Sequence, residues 1–125
     1  MNQVKWLAEP EAQDYPAAAN YLNLLADQDL AAGLIAGLRA APISQQKAKD
    51  LLRASGLPLL PEDNPHVASD LAKIRHGKAL SPVLVVRGDL VRGVPAQIAD
   101  GYHRVCASYW TDENTDIPVK LVDFH

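Results

Sequence analysis

Apolar residues recur every three to four positions through most of the first half of the chain. In the second half they also form short uninterrupted β-branched runs. The two patterns predict helices first and a sheet later. Asp14 followed by Pro16 opens a helix through AAANYLNLLAD, and Asp29 caps a second, LAAGLIAGLRAA. In the second helix Leu30, Leu34, Ile35 and Leu38 share one face, and Gly33 and Gly37, four apart, leave room for another helix to approach. Pro42 ends the run. Ser44 is then expected to cap QQKAKDLLRAS, whose inner stripe is Ala48, Leu51, Leu52 and Ser55. Gly56 stands where a left-handed C-terminal cap belongs, with Leu57 folding back on the last turn. Residues 1–57 read as a helical half.

A proline-rich connector, PLLPEDNP at 58–65, separates this half from the remainder of the chain. Asn64 as N-cap with Pro65 at the first helical position starts a helix, HVASDLAKIRH, which Gly77 stops. Pro82 leads into the strand VLVVR, GDLVRGVP supplies turn chemistry, and AQIAD is a second strand antiparallel to the first. A helix over the last ten residues of ADGYHRVCASYW and a closing strand, IPVKLV, complete the order helix, strand, strand, helix, strand. The expected fold class is α+β: a small mixed sheet with packed helices, preceded by the helical half. At 125 residues the chain fits one domain, with 64–123 as its sheet-forming module.

Composition narrows the function classes. A formal net charge of −3 argues against a generally basic nucleic-acid coat. Lys47, Lys49 and Arg53 lie outward on one helix and read as a solvated face. Cys106 is the one cysteine, so no intramolecular disulfide forms, and no Cys/His cluster has zinc spacing. The longest strongly apolar stretch, LAAGLIAGL, is far shorter than the roughly 20 residues a bilayer span requires. The stretch MNQVKWLAEP lacks the apolar core of a signal peptide. A cytoplasmic setting without membrane attachment is expected.

The run from Asp100 to Arg104 carries the chemistry. Tyr102, Val105, Cys106, Tyr109 and Trp110 fall on one helical face, which leaves His103 and Arg104 off the core. Asp100 is placed to cap the helix, and Gly101 to turn the backbone sharply and admit a close ligand. A helix start is partly positive, so Arg104 and a protonated His103 stand at the unfavourable end unless an anion is near. Free amides, the helix dipole and an arginine fork suit a phosphate. Equally, Arg104 can pair internally with Asp100, leaving His103 as a surface residue.

Residues 64–123 resemble the ParB/sulfiredoxin superfamily. The resemblance rests on the order VASDLAKIRHGKAL, SPVLVVRG, IADGYHR and DIPVKLV. ParB-type domains carry a Gly-x-(His/Arg)-Arg helix start, sulfiredoxins Gly-Gly-Cys-His-Arg, and related free-serine kinases Asp-Gly-His-His-Arg. The resemblance implies that His103 and Arg104 bind nucleotide phosphates, helped by the amides of Gly101 and Tyr102. It also implies a contribution from the preceding helix, where His66, Ser69 and Lys73 share a face; a solvated polar face is the other reading of that trio. ATP, ADP or CTP with Mg²⁺, the metal near Asp100, are the implied cofactors, and a nucleotide or phosphorylated small molecule is the implied partner.

The departures bear on activity. Tyr102 occupies the position of sulfiredoxin's reactive cysteine, and a phenol there cannot act as a thiolate. Glu62, Asp63 and Asp70 are available as general bases for serine-kinase chemistry, yet none lies in a motif, so the catalytic residues are unassigned. A metal-dependent nuclease needs clustered carboxylates, and only Asp100 lies at the motif. Three readings stay open: nucleotide or phosphate binding, with phosphoryl transfer or hydrolysis as its chemistry; a non-enzymatic nucleic-acid-associated module; and a regulatory protein-interaction module in which the motif is architecture. Arg104 in an open cleft beside His66, Ser69 or Lys73 favours the first, and Arg104 buried against Asp100 favours the last.

Overall fold

The computed structural model describes residues 3–124. Four strands form one mixed sheet in the order β2 (Ile43–Lys47), β6 (Asp116–Val122), β4 (Val83–Val86), β5 (Gln97–Asp100). β6 runs antiparallel to β2 and parallel to β4, and β4 is antiparallel to β5. Two short strands, β1 (Lys5–Trp6) and β3 (Ala79–Leu80), pair in parallel beside it. The helices are α1 (Asp14–Leu22), α2 (Gln28–Ala40), α3 (Ala48–Ser55), α4 (Pro65–Arg75) and α5 (Tyr102–Thr111).

The uninterrupted VLVV of β4 follows from burial on both faces. Val83 and Val85 point toward α3, α4 and α5, joining Leu51, Leu52, Val67, Ile74, Val105, Cys106, Ile117 and Val119. Leu84 and Val86 point the other way, to Tyr15, Ala18, Leu22, Leu34 and Leu38 of α1 and α2. The result is a helix–sheet–helix stack, an α+β fold with a mixed sheet. Asn64 caps α4 through the amides of His66 and Val67, and Gly56 closes α3 at φ +67°.

Several expectations are corrected. Ser44 caps no helix: Ile43–Lys47 is the edge strand β2, paired in register from Ile43 opposite Lys120 to Lys47 opposite Asp116. Its Gln45 and Gln46 have no apolar periodicity, and the helical pattern begins only at Ala48. The first half is therefore not purely helical, since β1 and β2 both arise from it. The cap of α2 is Asp27, whose side chain accepts from the Leu30 amide at 2.8 Å, and Asp29 sits inside the first turn. Gly37 admits a strand rather than a helix: a Cβ there would stand 3.2 Å from Val122 Cγ1. No helix among the described residues is long and apolar enough to cross a membrane.

Lys120 of β6 is buried, and its ammonium donates to the Arg39 carbonyl at 2.9 Å and meets Glu9 Oε1 at 3.1 Å. It thereby ties the end of α2 and the N-terminal segment to the sheet. Because α2 shares its core with β4, Leu38→Ala is expected to cost about 2–5 kcal/mol of the whole unit's stability. Urea melts followed by far-UV circular dichroism and by the fluorescence of Trp6 and Trp110, which lie across the sheet from α2, should shift together. Separate transitions would mean that α1 and α2 fold apart from the sheet.

Candidate functional site

Strand β5 ends at Asp100 and α5 begins at Tyr102, with Gly101 between them at φ +110°. Only glycine adopts that backbone without strain. Its lack of a side chain also makes room, though not for a ligand. A Cβ at Gly101 would stand 2.8 Å from Val83 Cγ2 and 2.9 Å from Arg104 Nη2. The space is filled by Arg104.

Arg104 turns back under its own helix. Its Nη2 donates to Asp100 Oδ2 at 2.8 Å and to the Pro82 carbonyl at 3.3 Å, and both side chains of the ion pair are only 17% exposed. Asp100 is thus committed to Arg104 and does not cap α5, which has no side-chain cap at all. Burial pushes the Asp100 carboxyl above its ordinary range, against the pull of Arg104, and Asp14 adds to the upward push. Asp14 is itself buried and accepts from the Ser81 hydroxyl and the Glu11 amide. Arg104 Nε is buried without a hydrogen-bond partner. The positive charge at an unfavourable helix end is answered internally, by a carboxylate on the preceding strand.

His103 has a different environment. His66 is the second residue of α4 and His103 the second of α5, and their ring centroids lie 4.7 Å apart at a 43° tilt. Two helix starts therefore meet at one place, and the Tyr102 ring lies 5.7 Å from that of His103. Asp70, one turn along α4 from His66, lies within electrostatic reach of both imidazoles and Arg104. Burial raises its pKa, while Lys73, Arg104, His103 and His66 act in the opposite direction. Burial and then the neighbouring His66 lower the pKa of His103, so the ring favours its neutral form.

Of the residues expected to form a site, the fold joins His66 and His103 directly. Lys73 is near through Asp70, which it meets at 3.8 Å. Ser69 is exposed on α4. Tyr102 uses its phenol to donate to the Pro58 carbonyl at 2.5 Å, which pins the connector. Cys106 is fully buried, and burial pushes its thiol pKa up. The expected apolar face of α5 holds at Val105 and Cys106, but Trp110 is exposed at 41% and donates to the Leu60 carbonyl, while Ala107 and Ser108 are buried instead. Sequence reasoning names Asp70 only as an available base outside any motif and does not group it with His66 and His103. Its spacing of four from His66 on a helix is the signal that places it near them.

Asp100 does not fit as a metal ligand, since its carboxylate is held by Arg104. Among the described residues no group of three or more His, Cys, Asp or Glu side chains could hold a metal ion. Lys47 ends β2 rather than lying on the helix with Lys49 and Arg53, and two of these three cations are paired: Lys47 meets Asp116 at 3.3 Å and Arg53 meets Asp50 at 2.7 Å. Comparison with family models, with curated proteins and with solved structures finds no match to this chain.

The ion pair and the imidazole each carry a testable outcome. Removing one partner of a largely buried ion pair costs about 3–5 kcal/mol, so Arg104→Ala should lower thermal stability sharply, and Gly101→Ala should do likewise by colliding with Val83 and Arg104. Denaturant melts of the two variants check this. The second outcome concerns pH. A lowered folded-state pKa for His103 means that the unfolded chain binds the proton first. Stability should therefore fall as pH drops from above the ordinary imidazole value of 6.5 toward the folded-state pKa. Melting temperatures across that window should decline less in His103→Asn than in the wild type.

Proposed function

We propose that this chain binds a phosphate-bearing ligand, a nucleotide such as ATP, ADP or CTP, where the starts of α4 and α5 meet. His66 and His103 touch the ligand, and Arg104 holds the helix start from beneath as a positioning residue. The observation that carries this reading is the pairing of His66 and His103, 4.7 Å apart, each at the second position of its helix. Two positive helix ends and the uncapped first turn of α5 favour an anion there. Burial holds the His103 imidazole toward its neutral form in the free protein; an arriving phosphate favours the protonated ring and gains a charge-assisted contact. Asp70 opposes an anion unless Lys73 and the imidazoles balance it. The ParB/sulfiredoxin-like resemblance of GYHR supports the same reading, with the difference that Arg104 here is already paired.

A second reading, a non-enzymatic protein-interaction module whose GYHR motif is architecture, is favoured by one observation: the enclosed Asp100–Arg104 pair. The two readings part experimentally at the histidines. A thermal-shift panel would use ATP, ADP, CTP and inorganic phosphate, with and without Mg²⁺, on wild type, His66→Ala and His103→Ala. Ligand at 100 times its dissociation constant stabilises by about 2.7 kcal/mol. The phosphate reading expects such a shift in wild type, growing as pH falls through the imidazole range. It should be lost in both variants while they remain folded. No shift with any of the four leaves the architectural reading standing.

A further inference from the structure

The far end of β5 from Gly101 offers a surface that the phosphate reading does not use. Residues 87–96 leave the sheet as a narrow hairpin. Asp89 and Val94 exchange two backbone hydrogen bonds of 2.9 Å, and Gly93 takes the left-handed turn at φ +70°. The Asp89 carboxylate accepts from the Arg92 amide at 3.2 Å. A Cβ at Gly88 would overlap the Val94 carbonyl, so the two arms close tightly. The hairpin is thus held by its own bonds, yet its tip presents Leu90 and Val91 to solvent at 98% and 96% exposure. A turn needs neither side chain there, and solvent disfavours both.

Hollows open on both sides of the hairpin. One, of about 490 Å³, is walled by Leu22, Leu34 and Val86 from α1, α2 and β4 and by Leu25 from the turn between the two helices. The other, of about 520 Å³, is walled by Leu51, Val85, Val119 and Leu121. Leu90 and Val94 line both. Leu24 is 82% exposed and adjoins Leu25 at the turn between α1 and α2.

We propose that a second copy of this chain seats on this end of the molecule, the Leu90–Val91 tip of each copy entering a hollow beside the hairpin of the other. Three observations select a copy over another partner. A knob and its hole on one chain make a self-complementary surface, which a two-fold axis closes. The rim charges cancel: Arg87 meets Asp123 at 2.6 Å and Arg92 meets Asp89 at 3.6 Å, so neither an acidic nor a basic partner is selected. The third is exposure. Leu24, Leu25, Leu90, Val91 and Val94 are all exposed at this end of the molecule, the first four more than half, and a two-fold contact would cover these residues on both copies at once.

Sedimentation velocity of the full chain over a wide dilution series tests this, with wild type, the double variant Leu90→Asp/Val91→Asp, and Leu25→Asp. The tip residues have almost no contacts to lose within one chain, so the double variant keeps its fold, checked by circular dichroism in the dilute samples. Wild type is expected to sediment as a dimer that dissociates on dilution, and the double variant as a monomer throughout. Leu25→Asp, which places a charge in the hollow, should weaken the dimer. A wild type that is monomeric at every concentration overturns the proposal; if it then takes up an apolar dye that the double variant does not, the patch serves a different partner. A dimer unaffected by the tip substitutions also overturns it, because another face must then hold the copies together.

Discussion

The junction of β5 and α5 depends on one ion pair folded under a glycine. An arginine in the first turn of a helix opposes the helix dipole, and Asp100 on the adjoining strand compensates it at 2.8 Å. The pair has a geometric condition. The guanidinium occupies the volume that a side chain at residue 101 would take, so Gly101, Asp100, Arg104 and Val83 specify one another. Since Arg104 also reaches the Pro82 carbonyl, the same contact binds the start of α5 to the entry of β4. His103 is aimed at His66 because the helix start beneath it is fixed in this way.

Much of the fold was legible because burial leaves a period. The Asn64–Pro65 start, the left-handed Gly56, the antiparallel β4–β5 pair and the closing strand all come from local chemistry that the structure retains. The failures share a physical origin. Ile43–Lys47 is an edge strand with polar Ser44, Gln45 and Gln46, held by main-chain pairing to β6 rather than by an apolar face. Nothing in such a short polar run distinguishes a strand from a helix start when the partner strand lies at the far end of the chain.

The candidate site was legible in one pairing and not in its roles. GYHR does open a helix, α5, and His66 and His103 do meet. What could not be read was which of His103 and Arg104 turns outward, since both lie off the apolar face of α5. Arg104 turned toward Asp100 because that carboxylate, four residues back at the end of β5, is shielded from water. Asp70 comes within electrostatic reach of the imidazoles for an equally local reason, its position one turn after His66.

The strand order has a consequence for how the chain reaches this state. β6, the last strand in sequence, lies between β2 and β4 at the middle of the sheet. Its two neighbours must therefore wait for it: until residues 116–122 arrive, β2 has no partner strand and β4 has a bare edge beside its pairing with β5. The central ladder closes long loops on both sides at once, a high-contact-order step that is intrinsically slow. Lys120 arrives with that strand, and its ammonium finds the Arg39 carbonyl only when α2 is already in place. Completion of the sheet and docking of its helical cover are in this sense one late event, and a chain caught before it offers unpaired backbone to its neighbours.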